Sequence, residues 1–266
     1  RVPLIITGPG IPKGVESDVM VNGLDFYPTL LTLTGTKRPK DKGLDGCDLS
    51  DLLLKNPTNS SLVKNKDGKP RDTMVWHFPH SVALESTIRM GGYKLVRNYN
   101  HRFDERTTEL ELYQLYKTEN GKQVRVDIEE ANNLASQHPQ LSKELNERLS
   151  SILNEMDASY PYYNPQARRV GAEKNLIPKV ISHEIHNETV TFSVREQGAK
   201  IVRADLIYAN NGGKKYEEWY RIKGKEKTKG TISFNLPEGS THYYLNLIDE
   251  NNFLVSYPET PDYSEL

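Results

Sequence analysis

Ile88-Arg89-Met90-Gly91-Gly92-Tyr93-Lys94-Leu95-Val96 is the stretch on which the fold turns. Two glycines between two apolar runs are a hairpin signal, because glycine accepts the positive φ that a two-residue β-turn demands. The spacing predicts strands over residues 86–89 and 93–97, joined at Gly91-Gly92. Upstream, residues 73–78 read as a third strand; downstream, residues 110–115 read as a fourth, followed by a turn at Glu119-Asn120-Gly121-Lys122. Together they predict a small antiparallel sheet.

A helix follows that sheet. Pro139 suits the first helical position, and Leu141, Leu145, Leu149, Ile152, Leu153 and Met156 repeat on one face, with Lys143, Glu144, Glu147 and Arg148 opposite. Tyr160-Pro161 ends the pattern, and Tyr160-Pro161-Tyr162-Tyr163-Asn164-Pro165 reads as an extended strap. Beyond about residue 176 the composition changes. Strand-like runs at 180–185, 189–194, 201–208, 217–222, 231–236, 243–248 and 253–257 are separated by Asn210-Asn211-Gly212-Gly213 and Asp249-Glu250-Asn251-Asn252, among other turns. Short strands at such intervals predict a β-sandwich of immunoglobulin or fibronectin type.

At the other end, Leu4-Ile5-Ile6, closed by Gly8-Pro9-Gly10, reads as a strand buried on both faces of a sheet. Residues 25–35 read as a short helix, with Asp25 or a near neighbour as N-cap, Pro28 in the first turn and Gly35 as the left-handed C-terminal cap. The expected fold class is therefore α+β. Residues 1–70 are expected to end a large α/β sheet, residues 71–175 to form a small antiparallel-sheet subdomain with a packed helix, and residues 176–266 to form an all-β sandwich.

Composition narrows the function classes. The chain is 36% hydrophobic and 27% charged with a net charge of -1, which describes a globular protein. Its Lys and Arg residues are dispersed among acids, leaving no footprint for nucleic acid, and no apolar stretch reaches the length of a membrane span. Cys47 is the sole cysteine, which excludes an internal disulfide and a thiolate metal cluster.

Trp76-His77-Phe78-Pro79-His80 holds the best polar pair, His77 and His80, expected at a strand end beside a Pro-imposed turn. The pair reads either as anion or sugar recognition or as hydrogen-bonded histidines packed beside Trp76. His183 and His186 have no carboxylate or thiol partners at a metal-ligand spacing. Ser60 and Ser61 lack a nucleophile-elbow context, and Gly8-Pro9-Gly10 lacks the Lys-Ser or Lys-Thr of a phosphate loop. Asp48 and Asp51 close to Cys47 disfavour an activated thiolate, so a structural cysteine is expected. Residue chemistry alone yields no catalytic constellation and no metal site.

The order of segments is more specific. Arg1-Val2-Pro3-Leu4-Ile5-Ile6 with Gly8-Pro9-Gly10, Asp25-Phe26-Tyr27-Pro28-Thr29-Leu30-Leu31, Leu44-Asp45-Gly46, Trp76 to His80, Ile88 to Val96, Leu110 to Leu115 and Asn133-Leu134-Ala135 follow one another along residues 1–165. This series resembles the C-terminal portion of the type I, formylglycine-dependent sulfatases of the alkaline phosphatase superfamily. The resemblance implies hydrolysis of a sulfate ester, with a sulfated small molecule or polysaccharide as substrate and a periplasmic or secreted location. It also implies a formylglycine nucleophile and a calcium ion in the full-length enzyme, both supplied upstream of Arg1 by a missing N-terminal catalytic domain. No cofactor is expected in this chain, because Cys47 does not match the Cys-x-Pro-x-Arg motif. Under the resemblance His77 and His80 become candidates for leaving-group or sulfate contacts, Arg89 and Lys94 structural or surface charges, and Phe26, Leu30, Leu31 and the helix leucines core. The competing reading is a non-catalytic carbohydrate-binding or protein-interaction module over residues 179–266, with Tyr216, Trp219, Tyr220, Tyr243 and Tyr244 as an aromatic platform.

Overall fold

The structure is a computed structural model that describes residues 2–40, 42–80, 83–104, 106–120, 122–167, 171–212, 218–224 and 230–258. The chain divides into two compact units, Arg1–Ser159 and Tyr160–Leu266. Helix and antiparallel sheet are segregated along it, as an α+β fold requires.

In the first unit a 3-10 turn, Gly23–Asp25, runs into helix α1, Phe26–Leu33. Asn22 accepts from the Leu24 N–H while Asp25 accepts from the Asn22 N–H, a reciprocal capping box that fixes the entry of the chain. Gly35, at φ +67, lets the chain leave α1 through the left-handed region. Helix α2, Ser50–Leu54, sits over a small core of Cys47, Leu49, Leu52 and Val63.

Four strands form the main sheet in the order β1–β2–β3–β4: β1 Thr73–His80, β2 Ala83–Met90, β3 Tyr93–Asn98 and β4 Leu110–Gln114. Gly91-Gly92 makes the predicted two-residue turn, with Met90 opposite Tyr93 and Gly91 at φ +55. Gly92 is required for a second reason. Its carbonyl accepts from the N–H groups of Leu115 and Tyr116, and a Cβ here would run into the Tyr116 carbonyl oxygen. A second hairpin, β5 Tyr116–Glu119 with β6 Lys122–Arg125, follows.

Helix α3, Pro139–Glu155, covers one face of the main sheet. Leu145, Leu149 and Leu153 are fully buried, as are Ile88, Leu95 and Leu112, which lie side by side on β2, β3 and β4. Each such side chain contributes about 1.5–3 kcal/mol by leaving water. Arg97 clamps the helix from β3, donating to Asn146 Oδ1 at 2.7 Å, to the Asn146 carbonyl at 2.8 Å and to Ser150 Oγ at 2.6 Å.

The second unit is a sandwich of seven strands among the described residues. One sheet runs β10–β9–β12–β13 (Tyr220–Lys223, Ile201–Ala209, His242–Asp249, Leu254–Tyr257) and the other β11–β8–β7 (Thr231–Asn235, Thr189–Arg195, Lys179–His186). Val190, Phe192, Val194, Ile232 and Phe234 from one sheet meet Ala204, Leu206, Leu245 and Leu247 from the other. The aromatic strap joins this unit: Tyr163 pairs in parallel with Phe253, and their rings lie 5.7 Å apart.

Three expectations are corrected. Leu4-Ile5-Ile6 forms no strand: Ile5 is 86% exposed, because no described strand offers it backbone partners. Phe26 and Leu30 are exposed rather than core, because the buried side of α1 is the one carrying Pro28 and Thr29. Pro79 does not impose a turn after Phe78. The strand runs through it to His80, which an edge strand permits because a missing N–H on its outer side costs no ladder bond.

Candidate functional site

Strand β1 carries the two histidines, and its alternation separates them. Val75, His77 and Pro79 share the face that α3 covers, whereas Met74, Trp76, Phe78 and His80 share the other. His77 and His80 therefore do not converge on one cleft.

His77 is the centre of a hydrogen-bonded junction. Its Nε2 lies 2.7 Å from the Ser159 carbonyl and its Nδ1 lies 2.6 Å from Ser86 Oγ, which in turn lies 2.7 Å from the Tyr99 hydroxyl. A carbonyl only accepts, so Nε2 carries a proton; in the neutral ring Nδ1 then accepts from Ser86 and the Tyr99 hydroxyl donates to the same serine oxygen. Ser86 is fully buried, and the Tyr99 ring meets the His77 ring edge-on at 6.3 Å. The junction ties β1 and β2 to the chain that leaves α3.

His80 stands exposed at the margin of the opposite face, whose Met74, Thr87, Val96 and Tyr113 are buried. Its ring lies 4.4 Å from that of Phe78, tilted by 40°. Trp76 and Phe78 are 45% and 43% exposed, so three aromatic rings line the sheet margin two residues apart. Opposite them on β2 stand Thr87, Glu85 and Ala83, and next to Glu85 on β3 stands Asn98. The cations of this face are engaged. Lys94 Nζ lies 2.7 Å from both Glu130 carboxylate oxygens, and the Arg89 guanidinium lies 5.1 Å above the Tyr116 ring. Glu111 accepts from Asn98 and from the Tyr113 hydroxyl; burial first, and this hydrogen bond second, raise that phenol's pKa well above the ordinary range. Glu85 accepts no hydrogen bond from any described residue. The sequence signal for this row was the alternation itself: Trp76 and Phe78 fall at the same parity as His80.

A cavity of about 430 Å³ lies on the α1–α2 side of the first unit, lined by Arg38, Cys47, Asp48 and Lys66 among others. Arg38 pairs with Asp48 at 3.0 Å and Lys66 with Asp45 at 3.5 Å, while Lys64 also lines the cavity. Cys47 is buried, and burial raises its thiol pKa, against the pull of the Arg71 guanidinium and with help from Asp25. Such a thiol is a poor nucleophile. The direction matches the sequence expectation, but burial and Asp25, rather than Asp48 and Asp51, cause it.

Cys47-Asp48-Leu49-Ser50-Asp51 has neither the proline nor the arginine that formylglycine formation needs. Among the described residues no three His, Cys, Asp or Glu side chains group so as to hold a metal ion, and no helix is long and apolar enough to cross a membrane.

The aromatic platform considered for the second unit divides. Tyr216 lies outside the described residues. Tyr243 packs edge-on to Phe192 and His183 against the sandwich core. Trp219 and Tyr244 pair at 5.5 Å with planes 59° apart, and Tyr208 and Tyr220 at 5.5 Å with planes 34° apart. These are two tilted pairs rather than one flat surface.

Residues 1–155 match the family model described as "N-sulphoglucosamine sulphohydrolase, C-terminal". The chain is 28% identical over 168 residues to arylsulfatase K of Mus musculus, a match that covers 62% of this chain and 28% of that protein. It is 28% identical over 168 residues to arylsulfatase K of Homo sapiens, with the same coverage. A sulfatase of Formosa agariphila is 29% identical over 147 residues, covering 52% of this chain and 23% of that protein. The chain thus spans roughly a quarter of the length of these relatives.

Proposed function

Because the chain belongs to the N-sulphoglucosamine sulphohydrolase C-terminal family, we propose that it is the C-terminal part of a sulfatase that hydrolyses sulfate esters or sulfamates of a carbohydrate. The family match over residues 1–155 carries this reading. The glucosamine named in the family description makes a sulfated aminosugar the first substrate class to test. An exported enzyme, periplasmic or secreted, fits the same relatives.

In this reading the chain positions rather than reacts. The formylglycine and the calcium ion belong, on this reading, to the part of the relatives that this chain does not cover. When present, that pair supplies the nucleophile and the charge that stabilises the sulfate oxygens in the transition state. The exposed apolar side chains of α1, Phe26, Leu30 and Leu33, are the surface against which the polypeptide carrying that pair packs. His80 is the substrate-side contact. His77 is a positioning residue that holds β1 in place through Ser86 and Ser159.

The test is sulfate release. The longer polypeptide encoded by the parent gene is expected to release sulfate from an aryl sulfate and from N-sulphoglucosamine in a calcium-dependent manner, and this chain alone is expected to release none. Turnover by this chain alone, or a longer polypeptide that carries no formylglycine motif, overturns the proposal.

A further inference from the structure

The margin of the main-sheet face opposite α3 carries an aromatic row, Trp76, Phe78 and His80, beside the buried cluster of Val96, Tyr113, Leu115 and Tyr116. Trp76 and Phe78 stand outside that cluster, 45% and 43% exposed, an apolar surface that a ligand would take out of water. Side chains two residues apart on a strand stand about 6.5–7 Å from each other, so the row is linear and lies along an edge with no described strand outside it.

Its charge pattern selects the ligand. The face has aromatic rings whose negative π-clouds attract polarised C–H groups, and one carboxylate, Glu85, without a donor. Its cations are already committed, Lys94 to Glu130 and Arg89 to the Tyr116 ring. A sulfate would face the Glu85 carboxylate, with the Lys94 and Arg89 side chains already engaged. A pyranose ring offers the complement: an apolar C–H face for the indole and phenyl rings, and rim hydroxyls that donate to a carboxylate.

We propose that Trp76, Phe78 and Glu85 form a stacking subsite for an unsulfated pyranose ring of a saccharide chain. This deepens the sulfatase reading and rests on it for the biological substrate. The subsite would grip the neutral part of a sulfated polymer, leaving the sulfate to chemistry elsewhere.

The test uses this chain carrying Trp219→Phe, which leaves Trp76 as the sole indole of the two in the sequence. Chitohexaose, cellohexaose and a heparin hexasaccharide are titrated while tryptophan emission is followed. A saturable shift with at least one neutral hexasaccharide is expected, with a Kd that changes little between low and high salt because no ion pair forms. Trp76→Ala, read by saturation-transfer NMR, and Phe78→Ser are each expected to weaken binding about tenfold, and Glu85→Gln several-fold. Phe78→Ser and Glu85→Gln keep the test intact if Trp76→Ala does not fold. No saturable signal with any neutral saccharide overturns the proposal. So does binding confined to the heparin hexasaccharide and abolished by salt, or saturation by an apolar peptide in place of sugar. Sulfate release by the longer polypeptide without saccharide binding here removes the subsite alone; loss of both removes the sulfatase reading too.

Discussion

Arg71 and Asp25, 46 residues apart, face each other as a fully desolvated bidentate pair: Nη1 to Oδ1 at 2.7 Å and Nη2 to Oδ2 at 2.9 Å, with side chains 6% and 0% exposed. The pair saturates its surroundings. Asp25 also accepts from the Asn22 and Cys47 N–H groups, and Arg71 also donates to the Met20 carbonyl at 2.6 Å. One carboxylate thereby fastens the start of α1, the segment before α2 and the approach to β1.

Removing half of that pair strands the other. Asp25→Ala is expected to destabilise the first unit by about 3–5 kcal/mol, because a buried guanidinium loses its counter-charge and two N–H groups lose their acceptor. Asp25→Asn keeps the shape and should still cost much of that. Urea titration followed by circular dichroism reads both; a loss below about 1 kcal/mol for Asp25→Ala would contradict the assignment.

Gly46 lies beside this latch, and a Cβ there would collide with the Leu24 carbonyl. Gly46→Ala is expected to push the Cys47 N–H away from Asp25 and lower the urea midpoint, although alanine is otherwise the gentlest replacement. An unchanged midpoint would show that the two segments can separate freely.

Cys47 reports on the same region. Its buried thiol, with a raised pKa and Asn65 Oδ1 as acceptor at 3.8 Å, is expected to resist a thiol reagent such as DTNB in the native state. It should react along the urea transition, with the midpoint given by circular dichroism. Rapid stoichiometric labelling of the native chain would be inconsistent with this packing.

The His77 junction predicts coupling. His77→Ala and Ser86→Ala are each expected to cost about 1–3 kcal/mol, since each leaves a buried partner without its bond. The double variant should cost less than the sum by more than about 0.5 kcal/mol. Additive losses would mean that the two side chains do not share one network.

Acid stability follows from four lowered carboxylates, one of them Asp67, which accepts from the Lys69 N–H. Arg106 holds Asp104 at about 2, through its side chain and its N–H; the Ala131 and Asn132 N–H groups lower Asp127; and burial, which alone would raise Asp48, is outweighed by Thr32, Ser50 and Arg38. A carboxyl with a folded-state pKa below its unfolded value stabilises the fold fully above the unfolded value, about 3.9, and loses that contribution as pH falls through the folded one. The urea midpoint should therefore hold steady down to about pH 5 and fall between about pH 4 and 2. Asp104→Asn and Asp127→Asn should each flatten the fall. A midpoint that rises on acidification through this window would refute the assignments.

Much of the architecture was legible because the period of the sequence matched the period of the structure. Gly91-Gly92 placed the hairpin, the leucines of α3 placed the helix, and the short alternating runs after residue 176 placed each sandwich strand within a few residues. Local pattern could not show what depends on distant partners. Leu4-Ile5-Ile6 has the composition of a buried strand but finds no neighbour, and nothing local says that Asp25 will be sealed by Arg71. For the site, the motif around His77 and His80 lies on one strand, β1. The mistake was to let Pro79 end it, since that hid the alternation that turns the two histidines to opposite faces and sets Trp76 and Phe78 beside His80.

Pro79 itself has a consequence for handling the protein. A sheet margin lined with Trp76 and Phe78 is a template for growth, on which another copy's strand could dock and begin a cross-β stack. A proline in that margin denies the incoming strand one donor and breaks the ladder at its most apolar point. Pro79 thus acts as a gatekeeper against aggregation, allowing adhesive side chains to stay on the surface while the backbone beside them resists polymerising.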